Sequence, residues 1–228
     1  MRDLRKFLIL ISVLFALSLP LRAEEINLGS DFVSSYIWRG QRVGGISIQP
    51  YMEYSYKGFT LGSWASIDVE DRYNTELDFY LAYSFRGFTM TYTDYFFNWE
   101  NKPFFNNWKN NHTGDISIEY DFQEKKPFIV KWSIFVLNDD HFSGYGEFIW
   151  LFKSGDIDCE LFAGMTPWSG IYNDKFSIVN LGFKAIKNLK FGDFDLPVSG
   201  SLIFNPVKAD IPKLFNQDGA YFVLGVSL

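Results

Sequence analysis

The sequence predicts an all-β protein, an antiparallel transmembrane β-barrel of about 12 strands with short periplasmic turns and longer extracellular loops. Three observations predict it: apolar residues alternate with period two along most of the chain, an export signal precedes them, and the connections sort by length into two ends. Composition narrows the field first. Of 228 residues, 20% are aromatic, 21% charged and 47% hydrophobic, which excludes a disordered chain or a coiled coil. Mean hydropathy is nevertheless −0.05, so apolar groups are interleaved with polar ones. Beyond the N-terminus no run approaches the ~18 apolar residues of a membrane helix.

The chain divides into two parts, residues 1–23 and 24–228. Arg2, Arg5 and Lys6 precede an apolar run from Phe7 to Leu19, then Pro20 and Ala23, which reads as a cleaved secretory signal. Its removal takes four bases (Arg2, Arg5, Lys6, Arg22) and one acid (Asp3), leaving 17 bases against 26 acids, a charge of about −9. That balance disfavours nucleic acid as a partner. Cys159 is the only cysteine, so neither an intrachain disulfide nor a cysteine zinc cluster is expected, and no cysteine follows the signal to carry a lipid anchor.

The strands follow in order. Residues 27–38 open the barrel, and residues 46–57 alternate most clearly: Ile46, Ile48, Pro50, Met52, Tyr54 and Tyr56 against Ser47, Gln49, Tyr51, Glu53, Ser55 and Lys57. Residues 59–70, 76–86 and 115–122 repeat the pattern, whereas 88–96, 128–137, 146–153, 157–165, 177–186, 196–204 and 220–228 show it more weakly. Each span is near the ~9–11 residues of a tilted membrane strand. Pro50, Pro197 and Pro206 interrupt or border strands, where a missing N–H weakens a ladder.

Links after even-numbered strands are mostly tight (57–58, 86–87, 123–127, 154–156), with 187–195 the longer exception. Links after odd-numbered strands are longer: 39–45, 71–75, 97–112, 138–145, 166–176 and 205–219. Sorting of this kind marks an outer-membrane barrel and has no cause in a soluble sandwich. The apolar face is then assigned to lipid and the polar face to the interior. Expected pore-lining residues are Tyr51, Glu53, Trp64, Asp68, Glu76, Asp78, Tyr80, Asp115, Glu119, Asp121 and Lys131. Aromatics near strand ends (Tyr36, Trp38, Tyr56, Phe59, Phe85, Phe88, Tyr95, Phe96) suit interfacial girdles.

The last strand, with Phe222, Leu224, Val226 and Leu228 on one face, resembles the terminal strand by which the barrel-insertion machinery recognises its clients, although that signal usually ends in an aromatic. A family resemblance rests on the opening strands. Asp31-Phe32-Val33-Ser34-Ser35-Tyr36-Ile37-Trp38-Arg39-Gly40, Ile48-Gln49-Pro50, the run from Gly58 to Ser66 and Glu76-Leu77-Asp78 resemble the TorF-type porins of Gram-negative outer membranes. The resemblance covers mainly the first ninety-odd residues and implies an outer-membrane barrel of porin type. It supplies no catalytic or ligand-binding residues.

Chemistry is sparse, and no enzyme activity, metal or cofactor is expected. His141-Phe142-Ser143 is the exception to weigh, because His and Ser two apart share a strand face where imidazole could activate the hydroxyl. Outer-membrane phospholipases and lipid A deacylases use such a pair followed by Asn; here Gly144 follows. The other reading of residues 138–146 is a solvated loop.

Inward acids outnumber inward bases, so an open pore would prefer cations. Alternatively those acids pair with loop bases such as Arg39, Arg42 and Lys109 in a filled interior, giving a plugged structural or binding barrel. Inward Tyr51, Trp64, Tyr80 and Tyr95 would narrow the bore or stack against sugar rings, and the 97–112 loop could fold inward as a constriction. The expected function is a channel for small solutes, cationic or sugar-like, with outer-membrane lipid and lipopolysaccharide as surroundings.

Overall fold

The computed structural model describes residues 26–71, 74–97, 111–122, 126–207 and 219–228. The predicted signal therefore lies outside the described residues, as does nearly all of the 97–112 loop. The described chain is all-β: β1 (Ile26–Val33), β2 (Tyr36–Trp38), β3 (Gln41–Gly44), β4 (Ser47–Tyr56), β5 (Phe59–Asp68), β6 (Thr75–Phe85), β7 (Phe88–Phe97), β8 (His112–Asp121), β9 (Phe128–Leu137), β10 (Gly144–Ser154), β11 (Ile157–Thr166), β12 (Ser177–Phe191), β13 (Phe194–Phe204) and β14 (Ala220–Ser227). Twelve of these, β1 and β4 to β14, form one closed antiparallel barrel, and β2–β3 make a separate hairpin. Closure runs through β1, where Phe32 lies opposite Ile48 of β4 on one side and Val226 of β14 on the other.

Period-two alternation translates directly into two faces. Leu61, Leu81, Met90, Ile118, Leu202 and Phe222 point outward and are exposed, while Gln49, Ser66, Asp78, Asp115 and Ser201 are buried. An exterior so continuously apolar is far larger than the patch a water-soluble monomer normally exposes. Near the turns the outward residues become aromatic, with Phe59 against Tyr83 (4.6 Å), Phe88 against Tyr120 (4.3 Å), Tyr120 against Phe122 (4.3 Å) and Phe122 against Phe128 (4.5 Å). Tyr56, Phe59, Phe85 and Phe88 thus form the exposed belt that their positions suggest. Trp38 and Tyr95 do not, because both turn inward and pack at 5.6 Å.

Turn chemistry explains the tight end. Lys57 and Gly58 both have positive φ (48° and 85°), as a two-residue hairpin matched to strand twist requires, and a Cβ on Gly58 would lie 2.7 Å from Ser84 O. The expected long link at 187–195 is a tight turn instead: β12 continues to Phe191 and β13 begins at Phe194, leaving only Gly192 and Asp193 between them. Lys187, Asn188 and Lys190 break the apolar rhythm without breaking the strand, and Lys187 pairs with Asp156 of the neighbouring turn at 3.0 Å. All connections at that end are therefore short, which strengthens the sorting by length.

Pro50 acts as expected, since the β4–β5 register matches Ile48 with Ile67 and Tyr51 with Trp64 but lapses at Gln49 and Pro50, whereas Pro197 lies inside β13 opposite Asn188 without breaking the β12–β13 ladder. Three cross-strand pairs set an interior aromatic against a glycine. Gly29 faces Tyr51, Gly62 faces Tyr80 and Gly182 faces Phe162. A Cβ at any of the three would lie within 2.5 Å of a ring atom, so each ring lies along the wall and not across the bore.

The larger departure is the first loop. Residues 27–38 are not one strand; β1 stops at Val33, and the chain bends at Ser34-Ser35 into β2–β3. This hairpin enters the barrel at the loop end. Trp38 joins Phe97, Ile171 and Val207 around buried Tyr95, Phe135, Tyr145, Tyr172 and Val179, so the hydrophobic core of the molecule sits inside the barrel. Val179 reaches it through a bulge beside the Gly164/Met165 register shift between β11 and β12.

Candidate functional site: the barrel interior

The interior has two halves of different character. At the loop end, the β2–β3 hairpin crosses to the opposite wall. Its tip, Arg39-Gly40, takes positive φ at both residues (50° and 79°), with Trp38 paired to Gln41. Gly40 is packed so closely that a Cβ would lie 2.0 Å from Val179 O of β12. Asn205 Nδ2, just beyond β13, donates to Gly40 O at 3.1 Å.

Arg39 is the polar centre of this half. Nη2 donates to Asp115 Oδ2 on β8 at 2.7 Å, and Nη1 donates to the Tyr172 hydroxyl. The guanidinium lies 4.4 Å from the Trp38 ring centre and 4.9 Å from that of Tyr145, an aromatic cage suited to a cation. Tyr95 donates to the same Asp115 oxygen at 3.2 Å. Burial pushes the Tyr172 phenol up to about 12 against the opposing pull of Arg39, so it stays protonated across the physiological range. The network continues around the wall, where the Tyr145 hydroxyl donates to Glu147 at 2.5 Å and Asn180 Nδ2 donates to Tyr145 at 3.0 Å.

The hairpin stems are fixed by a second centre. Asp68 accepts from Gly45 N (2.8 Å), Glu70 N (2.9 Å), Asp71 N (3.1 Å) and Asn74 Nδ2 (3.2 Å). Asn74 also donates to Val43 O at 2.9 Å. Glu76 and Asp78 lie beside Tyr36, almost wholly buried, and no described protein group bonds Glu76 Oε2 or Asp78 Oδ1.

The turn half is open in comparison. Glu119 and Lys131 pair at 2.8 Å with side chains 30% and 35% exposed, although both face inward, so solvent reaches the interior there. Glu53 accepts from Tyr80 at 2.7 Å and from Asn27 at 3.2 Å.

All eleven sequence-expected lining residues lie on the interior face, but they do not form one pore wall. Asp68, Glu76, Asp78 and Asp115 are covered at the loop end. Tyr51, Glu53, Tyr80, Glu119, Asp121 and Lys131 belong to the turn half, and Trp64 meets Tyr36 of the hairpin at 5.3 Å between them. Tyr145, Glu147 and Asn180 carry no sequence signal beyond alternation, and Tyr172, in the β11–β12 connection, carries none. Arg39 does carry one, as one of the loop bases expected to pair with inward acids in a filled interior.

His141 and Ser143 occupy the β9–β10 loop. Ser143 is 1% exposed and its Oγ accepts from Ile171 N at 2.9 Å, while its N donates to Asp139 at 2.6 Å. His141 is exposed, and only its backbone N reaches Asp139, at 3.2 Å. The serine thus ties two loops together. Ser143→Ala is expected to lower the unfolding free energy by about 1 kcal/mol, read from urea titration in detergent.

No protein-family model matches this sequence, and no curated protein matches it.

Proposed function

We propose that the protein is an outer-membrane channel for small solutes, with a preference for cations and a hairpin that occupies its outer half. The carrying observation is an apolar exterior enclosing a solvent-reached, charged interior in the turn half. In this reading residues 1–23 direct export, the barrel machinery inserts residues 24–228, the turns face the periplasm, and the loops meet lipopolysaccharide. The likeness of the opening strands to TorF-type porins supports it.

Charge sets the selectivity. Glu53, Glu119, Asp121, Asp158 and Glu160 lie on the inward parity of the turn half against Lys131, Lys153 and Lys184, with Lys131 paired to Glu119 and Lys153 to Asp158, so acids outnumber bases there. In planar bilayers the protein is expected to give discrete, cation-preferring steps. Glu53→Gln combined with Asp121→Asn should cut the cation-over-anion permeability ratio roughly twofold, read from reversal potentials in a salt gradient. The packed hairpin favours a second reading, a permanently closed structural barrel. Silence in bilayers even after the hairpin is displaced overturns the channel and leaves that reading.

A further inference from the structure

The geometry points to Arg39 as the latch of a gate, a step that rests on the channel reading above. Hairpin β2–β3 is a two-stranded sheet of its own, with no ladder to the barrel wall among the described residues. Both stems are fixed. Ser34 N donates to Leu224 O and Ser34 Oγ accepts from Leu224 N, each at 2.9 Å, and Gly45 is bound by Asp68. Between those points the hairpin is held by side chains, of which Arg39 bridges furthest, to Asp115 on β8 and to Tyr172 in the β11–β12 connection.

The closed state also carries a polar deficit. Gln41, 1% exposed, has neither amide atom bonded by a described protein group, and Asp115 Oδ1, Ser133 Oγ and Asn180 Oδ1 share that condition. Buried polar atoms without partners favour any state that exposes them to water. The charge-assisted Arg39 contacts and the aromatic packing oppose that pull. Two opposing contributions of similar kind, concentrated on one short hairpin with fixed stems, describe a two-position element. Loss of the latch lets the hairpin swing outward about Ser34-Ser35 and Gly44-Gly45, opening the loop end.

The test uses the full barrel in phosphatidylcholine vesicles, with Cys159→Ala and Gln41→Cys providing one reporter thiol. Removing the Gln41 amide sacrifices no hydrogen bond. A membrane-impermeant charged maleimide should label position 41 slowly in this background. Adding Arg39→Ala is expected to raise the rate on the order of a hundredfold, as when a buried charge pair loses one partner, with Asp115→Asn in the same direction. Arg42→Ala is the control and should leave the rate unchanged. Heat-modifiable migration checks that each barrel is folded. Unchanged labelling in both latch variants overturns the latch. If labelling rises while bilayers stay silent, Arg39 still holds the hairpin, and it is the channel that falls.

Discussion

Leu81→Arg is expected to destabilise the folded protein in lipid by about 2–4 kcal/mol, the cost of a cation at the midplane of a barrel's lipid face. Leu81 lies midway along β6, matched with Leu61 on β5 and Tyr92 on β7, and is 52% exposed. In water the same substitution at an exposed position would fall within about 0.5 kcal/mol of neutral. The two environments therefore predict different results for one residue. Thr91→Arg supplies the internal comparison, because Thr91 faces the interior opposite Ala82 and an arginine there can reach water. Urea unfolding in phosphatidylcholine vesicles measures both. A neutral Leu81→Arg would show that the exterior faces water and would end the membrane reading.

Gly40→Val is expected to drive the hairpin from its seat. The obstacle is a backbone carbonyl, Val179 O, 2.0 Å from the required Cβ position, on a bulged strand packed into the core. No side-chain rotation relieves it. The positive φ of 79° adds strain for a β-branched residue. The twelve barrel strands lose no pairing, so the wall should fold while the hairpin does not dock. Trypsin reads the outcome, since Arg39 lies in the tip and Arg42 just beyond it. Wild-type protein should resist cleavage there, and Gly40→Val should be cut at both while still migrating as a folded barrel. Resistance equal to wild type would mean that the tip is not seated as described.

Much of the fold is legible because a barrel wall obeys one local rule. At Phe128–Leu137 the sequence-based span and the observed strand coincide, even though both faces there are rich in apolar groups. The rule fails where the chain leaves the wall. Val33, Ser35 and Ile37 keep the same alternation whether the strand climbs on or turns inward, so 27–38 reads as one element. Tyr36 and Trp38 suit a membrane interface and a packed interior equally well. What separates those environments is the company of Arg39, whose partners Asp115 and Tyr172 lie 76 and 133 positions away. No local pattern reports contacts at that distance. At Lys187–Phe191 the failure is opposite, because charges at the solvent-facing end of a strand look like a loop while the ladder continues to Phe191↔Phe194.

The glycines opposite Tyr51, Tyr80 and Phe162 bear on how the wall is assembled. Sliding a strand by two residues preserves inside and outside, so the segregation of apolar from polar groups cannot detect the error. These pairs can. Shifted by two, Tyr80 would meet Thr60 or Trp64, Tyr51 would meet Asn27 or Asp31, and Phe162 would meet Asn180 or Lys184. None leaves room for a flat ring. Each pair is a key cut for one alignment, and the Gly29–Tyr51 key sits at the β1–β4 junction, close to where the cylinder is finally sewn shut.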